Sequence, residues 1–183
     1  MQIEMQVSGL TIDPVNNAPI VVLREKEGER ILPIWIGVIE ASSIAFELEQ
    51  VKLARPMTHD LLRGTIESLG GRVERVSVVD LRENTYYALI SISREGHTIE
   101  IDARPSDAIA LALRAKAPIL CAAKVLDEAH VRRQQSEEGR AEAGEKEAER
   151  SEAGPKPILE QGQRSWKEIL ESLSPEDFGK YKM

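Results

Sequence analysis

Apolar and polar residues alternate one by one over residues 2–7. This period of two is typical of a strand with one buried face. Two apolar runs follow at residues 19–23 and 31–36, and the polar loop between them predicts a hairpin. Pro33 has no backbone N–H to donate, so the second strand of this hairpin is expected at a sheet edge or at a bulge.

Helical spacing follows over about residues 38–50 and again over about residues 58–69. In the second segment three apolar side chains share a face that we expect to be buried: Leu62, Ile66 and Leu69. The pair Gly70 and Gly71 is expected to end this helix.

The same order of elements then repeats. Three strands are predicted over residues 73–81, 86–92 and 97–103. A helix over about residues 107–116 is apolar nearly all round and should be deeply buried, and residues 125–133 match the second helix. A displacement of 67 positions brings the halves into register and sets Glu40 on Asp107. The predicted fold class is therefore α+β, with two βββαα units, fused or duplicated, in one compact body.

The composition changes near residue 126. Residues 134–157 contain no large apolar side chain and cannot offset the entropy of ordering, so they predict a charged flexible linker. Beyond it, helical spacing sets four apolar side chains on one face: Trp166, Ile169, Leu170 and Leu173. Such a short helix is marginal alone, so it should dock on its own body, on a second copy or on a protein partner. The predicted organisation is a domain at residues 1–133, the linker, and a C-terminal amphipathic helix segment at 158–183.

The charge balance of the 183-residue chain is acidic, with 24 Lys and Arg against 31 Asp and Glu and a net charge of −7. This argues against a protein that coats nucleic acid with a uniformly basic surface. No apolar stretch is long enough for a membrane span, and the N-terminus lacks the pattern of a secretory signal. A single cysteine, Cys121, permits neither an intrachain disulfide nor a cysteine zinc site. We expect a soluble cytoplasmic protein.

Reactive side chains gather at a predicted strand-to-helix corner, residues 102–107. Pro105 forces Arg104 into an extended conformation. Ser106 is expected to cap the helix, and Asp107 sets a negative charge in its first turn. Arg104 beside carboxylates is either an internal ion-pair clamp or a group that faces phosphate.

A second group opens the helix predicted at residues 58–69. Thr58 is expected to cap this helix, and Asp60 to interact with its dipole. His59 is alternatively a general base or a metal ligand. Adjacent helical residues point about 100° apart, so Asp60 is not expected to orient His59.

Four carboxylates in these segments are candidate ligands for Mg²⁺, with phosphate oxygens completing the shell: Glu40, Asp60, Asp102 and Asp107. The sequence alone does not bring the two halves of the chain face to face. Familiar site patterns, such as a glycine-rich phosphate loop or HExxH, do not occur.

Three segments resemble the bifunctional nuclease family of bacteria and plants: PIWIGVIEA at residues 33–41, RPMTHDL at 55–61 and DARPSDAIALA at 102–112. The resemblance covers about residues 2–130 and implies a duplicated βββαα body that forms homo-oligomers. Plant members are credited with hydrolysing both RNA and DNA. Many bacterial members carry a C-terminal motif like that of nucleotide-excision-repair subunits, which the Trp166 segment does not resemble.

The resemblance implies a candidate site but assigns no roles. Its catalytic candidates are His59, Asp60, Asp102, Arg104 and Asp107. Its substrate-binding candidates are Arg55, Thr58 and Ser106. The carboxylates that we propose for a divalent cation such as Mg²⁺ are Glu40, Asp102 and Asp107.

Two hypotheses follow. In the first, the protein is a phosphodiesterase for RNA and DNA with little sequence preference, in which the carboxylates bind a metal or activate water, Arg104 stabilises charge on the phosphorane and His59 transfers a proton. An acidic nuclease needs a locally basic cleft, for which five arginines are candidates: Arg55, Arg63, Arg72, Arg75 and Arg82. In the second, the protein is an oligomeric scaffold or a ligand-binding module, and the same residues are caps and ion pairs.

Overall fold

The computed structural model describes residues 1–51 and 53–130, and the predicted linker and C-terminal helix lie outside them. The elements, in chain order, are β1 (Gln2–Ile12), β2 (Pro19–Glu25), β3 (Ile31–Trp35), α1 (Val38–Leu48), α2 (Thr58–Ser68), β4 (Arg72–Arg82), β5 (Thr85–Arg94), β6 (His97–Ala103), α3 (Pro105–Ala115) and β7 (Ile119–Ala122). A last helical stretch, here α4, covers residues 123–130. The predicted α+β class is confirmed.

All seven strands belong to one sheet in the order β3-β2-β1-β7-β4-β5-β6. Only β4 and β7 pair in parallel, and the other neighbours are antiparallel. The predicted hairpin is β2–β3, and β3 lies at the sheet edge, as Pro33 requires. The short strand β7 was not predicted. It separates the two three-stranded meanders at the centre of the sheet.

The two helices that follow the meanders correspond closely. α1 and α3 are both eleven residues long and start 67 positions apart, as the predicted register requires. The second half differs by the insertion of β7 before α4. The duplication itself stays a prediction, which this correspondence supports.

The core lies between the helices and one face of the sheet. Cross-strand partners share a face, and buried pairs such as Leu23 with Leu32 and Val78 with Ala88 line it. α3 packs on β4 and β5, and its residues 108–112 are almost completely buried, as predicted. The start of α3 is therefore set in a rigid frame beside the start of α1, which it also contacts.

The predicted burial of the apolar face of α2 was wrong for two of its three residues. Leu62 is 39% exposed and Leu69 is 63% exposed, and Ile66 is half-buried. α2 packs mainly on α3 and on β4, and these contacts leave Leu62 and Leu69 exposed. Apolar side chains therefore remain on the outside of this helix.

Candidate active site

Arg104 occupies the N-cap position of α3 in an extended conformation, with Pro105 as the first helical residue. The restriction that proline places on the preceding residue explains this conformation. Ser106 lies within the first turn, is buried, and makes no capping hydrogen bond. The prediction that Ser106 caps the helix was wrong, because the helix begins at Pro105, two residues earlier than predicted.

The guanidinium of Arg104 bridges two carboxylates. Its Nε donates to Asp107 Oδ2 at 2.7 Å, its Nη2 to Asp107 Oδ1 at 3.2 Å, and its Nη1 to Glu40 Oε1 at 2.8 Å. Asp107 and then Glu40 raise the pKa of Arg104, which stays cationic. The side chain is nevertheless 65% exposed. Arg104 is thus an ion-pair clamp that also presents its charge to solvent.

Glu40 reaches Arg104 from the first turn of α1, the counterpart of Asp107 in the first half of the chain. Its carboxylate folds back over Gly37, the N-cap residue of α1, and a Cβ on Gly37 would collide with it. The backbone of Gly37 is in an ordinary extended conformation. A larger residue at position 37 would therefore displace the Glu40 carboxylate from its place beside Arg104, although the backbone there has no special dihedral angle.

The imidazole of His59 is held between two other helices. Its Nδ1 lies 2.8 Å from Ser43 Oγ in α1, and its Nε2 lies 3.3 Å from Asp107 Oδ1 in α3. Since a carboxylate only accepts, both contacts are satisfied when Nε2 carries the hydrogen and Nδ1 accepts from Ser43. The His59 side chain is 11% exposed, so its orientation is well defined by its neighbours.

Asp60 belongs to a second, neighbouring network. Its Oδ2 accepts from the backbone N–H of Met57 at 2.9 Å, and its Oδ1 accepts from Arg114 Nε at 2.9 Å. Met57 is therefore the N-cap residue of α2, and the prediction that Thr58 caps this helix was wrong, because Asp60 supplies the acceptor. As expected, Asp60 does not orient His59.

Arg114 connects the two networks and is only 2% exposed. Its Nη2 donates to the backbone oxygen of Ser43 at 3.0 Å, and its Nη1 donates to Ala110 O at 2.9 Å. Sequence reasoning missed both Arg114 and Ser43. The available signal was a lone arginine two turns after Asp107 on an otherwise apolar helix, and a serine pair inside α1.

Asp102 is not brought to this cluster. It pairs with Leu89 across β5 and β6, is exposed, and has no hydrogen bond or ion pair with the described members of the cluster. Within residues 1–51 and 53–130, no three His, Cys, Asp or Glu side chains form a group that could hold a metal ion. Glu40 and Asp107 meet through Arg104 and not around a common ion position.

The five arginines proposed for a basic cleft are also dispersed. Arg72 and Arg82 stand at opposite ends of β4, and Arg75 lies near Glu74 and Glu100. Arg55 and Arg63 line a common cavity. A basic cleft that draws on these arginines stays a prediction.

The cluster combines groups suited to acid–base and phosphate chemistry. An imidazole, an exposed guanidinium and two carboxylates lie at the start of three helices. With neutral His59 the local charge is −1, because Glu40 and Asp107 exceed Arg104 by one. Of these groups, the exposed guanidinium of Arg104 is the one that can meet a phosphate.

The chain belongs to the bifunctional nuclease domain family. The profile of this family matches residues 21–134, which include both strand-to-helix corners. The chain is 39% identical over 177 residues to uncharacterized protein Rv1829 of Mycobacterium tuberculosis, which covers 96% of this chain and 97% of that protein. It is 33% identical over 105 residues to bifunctional nuclease 2 of Oryza sativa subsp. japonica, and 30% identical over 105 residues to bifunctional nuclease 1 of Arabidopsis thaliana.

The two plant matches cover 55% of this chain and 32% of each plant protein. The chain thus spans about a third of their length. The family profile includes all members of the cluster, from Glu40 to Asp107. In the described residues, no helix combines the length and apolar character needed to cross a bilayer.

Proposed function

We propose that the protein hydrolyses phosphodiester bonds of RNA and DNA, with little sequence preference, at the cluster of Glu40, His59, Arg104 and Asp107. The observation that carries this proposal is the imidazole of His59, held between Ser43 and Asp107 beside the exposed guanidinium of Arg104. Membership of the nuclease family and the names of the plant relatives support it.

The roles follow from the contacts. Arg104 uses three of its five N–H donors on carboxylates, which leaves two for the oxygens of a phosphate. His59 transfers a proton to or from the reacting oxygen, and Asp107 orients both His59 and Arg104. Asp60 is a positioning residue, because it holds Arg114 and through it the backbone of Ser43.

The other candidates have weaker support. Arg55, Thr58 and Ser106 remain proposed substrate-binding residues, of which Ser106 is buried. Asp102 remains a candidate through the family resemblance alone. Mg²⁺ is commonly held by one or two carboxylates together with substrate phosphates. Glu40 and Asp107 are the described residues that would serve, and we assign no step to a metal.

The test is cleavage of a labelled single-stranded RNA and a labelled duplex DNA by the full chain. Wild type is compared with Asp107→Asn and Arg104→Ala in Mg²⁺, in Mn²⁺ and with excess chelator. We expect both variants to lose about 100-fold in rate, the usual cost of removing a transition-state charge partner. Arg94→Ala, an exposed arginine at the end of β5, is the control and should cleave normally. Equal cleavage by all variants would contradict the proposal.

An oligomeric scaffold is the second candidate, and the exposed apolar surface favours it. Gly71 lies between the side chains of Ile66 and Ile92, and Ile92 pairs with the exposed Ile99 of edge strand β6. Leu62, Leu69 and Ile99 are exposed apolar side chains, and we propose that they form the contact between copies of the chain. A charge on Leu69 and Ile99 should then lower the mass measured by light scattering.

Ile31→Glu is the matched control for that experiment, since Ile31 is an exposed isoleucine at the opposite sheet edge. An unchanged mass in the Leu69→Glu and Ile99→Glu variant would contradict this surface. A protein partner for residues 158–183 and a location in the cytoplasm remain proposals from the sequence alone.

A further inference from the structure

A cavity of about 380 Å³ lies under the loop that joins α1 to α2. Its wall is formed by the end of α1, by the loop, by the first turns of α2, and by Arg114 of α3. Neither Arg104, His59 nor Asp107 lines it. It adjoins the cluster, with which it shares the Asp60–Arg114 pair, and its size is typical of sites for small molecules.

The lining combines an apolar body with positive charge. Its apolar side chains are those of Phe46, Val51, Leu53, Ala54, Pro56 and Met57, and its charged ones those of Glu47, Arg55, Asp60, Arg63 and Arg114. Asp60 and Arg114 are engaged with each other. Among the lining residues Arg55 and Arg63 remain with Glu47, and Glu67, which does not line the cavity, lies 3.7 Å from Arg63 Nε.

Both of these arginines have donors to spare. Arg55 is exposed and makes no hydrogen bond or ion pair with another described residue. Arg63 donates from Nη1 to the backbone oxygen of Arg114 at 2.9 Å. Its Nε is buried without a hydrogen-bond partner in the described part of the chain, because the nearest carboxylate, Glu67, is 3.7 Å away.

We propose that this cavity binds a small organic anion of nucleotide size. Arg55 and Arg63 would take its phosphate or carboxylate, the geometry for which paired guanidinium donors are suited. Phe46 and Leu53 would contact its apolar or aromatic part. An anion that draws the guanidinium of Arg63 into the cavity also supplies the acceptor that its Nε lacks.

A chain of hydrogen bonds connects the cavity wall to His59. Arg114 forms part of the cavity wall and donates to the backbone oxygen of Ser43, whose Oγ bonds to His59 Nδ1. A ligand that moves Arg114 or Asp60 therefore changes the position of Ser43 and, through it, the hydrogen bond at His59 Nδ1. The cavity is thus a regulatory site for the chemistry of the cluster, and its occupancy is measurable without any cleavage reaction.

Calorimetry on the full chain tests binding, with adenosine 5′-monophosphate, adenosine and inorganic phosphate as probes. We expect the monophosphate to bind more tightly than either fragment. Arg55→Gln and Arg63→Gln should each weaken it at least tenfold, and the exposed control Arg94→Gln should not. No saturable binding, or equal binding by wild type and both cavity variants, overturns the proposal. Arginine-dependent binding of an oligonucleotide but not of the mononucleotide would instead make the cavity part of a substrate path, which also overturns it.

Nitrogen-15 spectra of the three histidines test the coupling, with His59 assigned from a His59→Asn variant. Adenosine 5′-monophosphate should shift the His59 resonances and leave those of His97 and His130 in place. The shift should disappear in Arg63→Gln. If the monophosphate binds but the His59 resonances do not shift, the regulatory link is overturned. Since neither experiment measures hydrolysis, failure here is distinguishable from failure of the nuclease proposal.

Discussion

Arg104 Nη1 lies 2.8 Å from Glu40 Oε1, and this ion pair joins two residues that are 64 positions apart. Each stands at the start of a helix that follows a three-stranded meander. One guanidinium therefore connects the two halves of the fold at their equivalent corners and collects two carboxylates in an exposed position.

Replacement of Glu40 by Gln keeps an acceptor for Arg104 and removes one negative charge. Because Arg104 is 65% exposed and keeps an acceptor at position 40, the free energy of unfolding should change by less than about 1 kcal/mol. Single-stranded nucleic acid should bind a few-fold more tightly at low salt, since the net charge of the cluster becomes zero. Fluorescence anisotropy measures this. Asp127→Asn removes the same charge at an exposed site far along the chain, and equal tightening there would mean that the effect is not local.

Ser43 and Ser42 offer a matched pair, since both are buried in α1 and differ in their partners. Ser42 Oγ donates to Val38 O at 2.8 Å, whereas Ser43 Oγ contacts His59. Replacement by Ala should cost about 1 kcal/mol of stability in either case. Only Ser43→Ala should lower the cleavage rate, by about tenfold, because the imidazole loses one of its two supports. Equal cleavage rates in the two variants would show that Ser43 does not contribute to the site.

Arg114→Leu should be strongly destabilising. The substitution leaves the carboxylate of Asp60 and the backbone oxygen of Ser43 without their donor. Because Asp60 is partly exposed, we expect a loss of about 2–4 kcal/mol, below the full cost of an unpaired buried charge. Urea unfolding followed by circular dichroism measures it. The control Arg94→Ala should change the free energy of unfolding by less than about 0.5 kcal/mol. A similarly small loss for Arg114→Leu would contradict the conclusion that Arg114 holds Asp60 and Ser43 in place.

Asp80 predicts an acid-dependent contribution to stability. Hydrogen bonds from Lys124 and then Arg82 lower the pKa of Asp80 from 3.8 to about 2. An unfolded chain takes up the proton first, so the stabilisation is complete above pH 4 to 5 and is lost as the pH falls through about 2. The difference in unfolding free energy between wild type and Asp80→Asn should therefore shrink over that range. A constant difference from pH 7 to pH 2 would contradict this assignment.

Cys121 should react slowly with alkylating reagents. It is buried in β7, and burial raises the pKa of its thiol to about 12. Since the thiolate is the reactive form, iodoacetamide at pH 8 should modify the native chain far more slowly than the chain in urea. Mass spectrometry over time measures this. Rapid modification without denaturant would show that β7 opens readily.

The sequence by itself predicted most of the elements, but not β7 or the residues that cap α2 and α3. Periods of two and of about 3.6 residues show which side chains of a strand or a helix face the core, so the two meanders and the helices were predictable. The spacing of three between Arg104 and Asp107 sets them on one helical face, and their ion pair follows from it. Family membership rested on these same corners.

Only the tertiary structure decided which of these groups meet. Ser43 and His59 are 16 residues apart, and Asp60 and Arg114 are 54 apart, so their contacts depend on how α1, α2 and α3 pack. Asp102 lies two residues from Arg104 but forms no hydrogen bond or ion pair with the described cluster, because β6 ends at Ala103 and the chain turns there into α3. The exposure of α2 likewise depends on its contacts with α3 and β4. Sequence periodicity describes one element at a time and does not specify how elements pack. The cluster around His59 could therefore be found only in the folded chain.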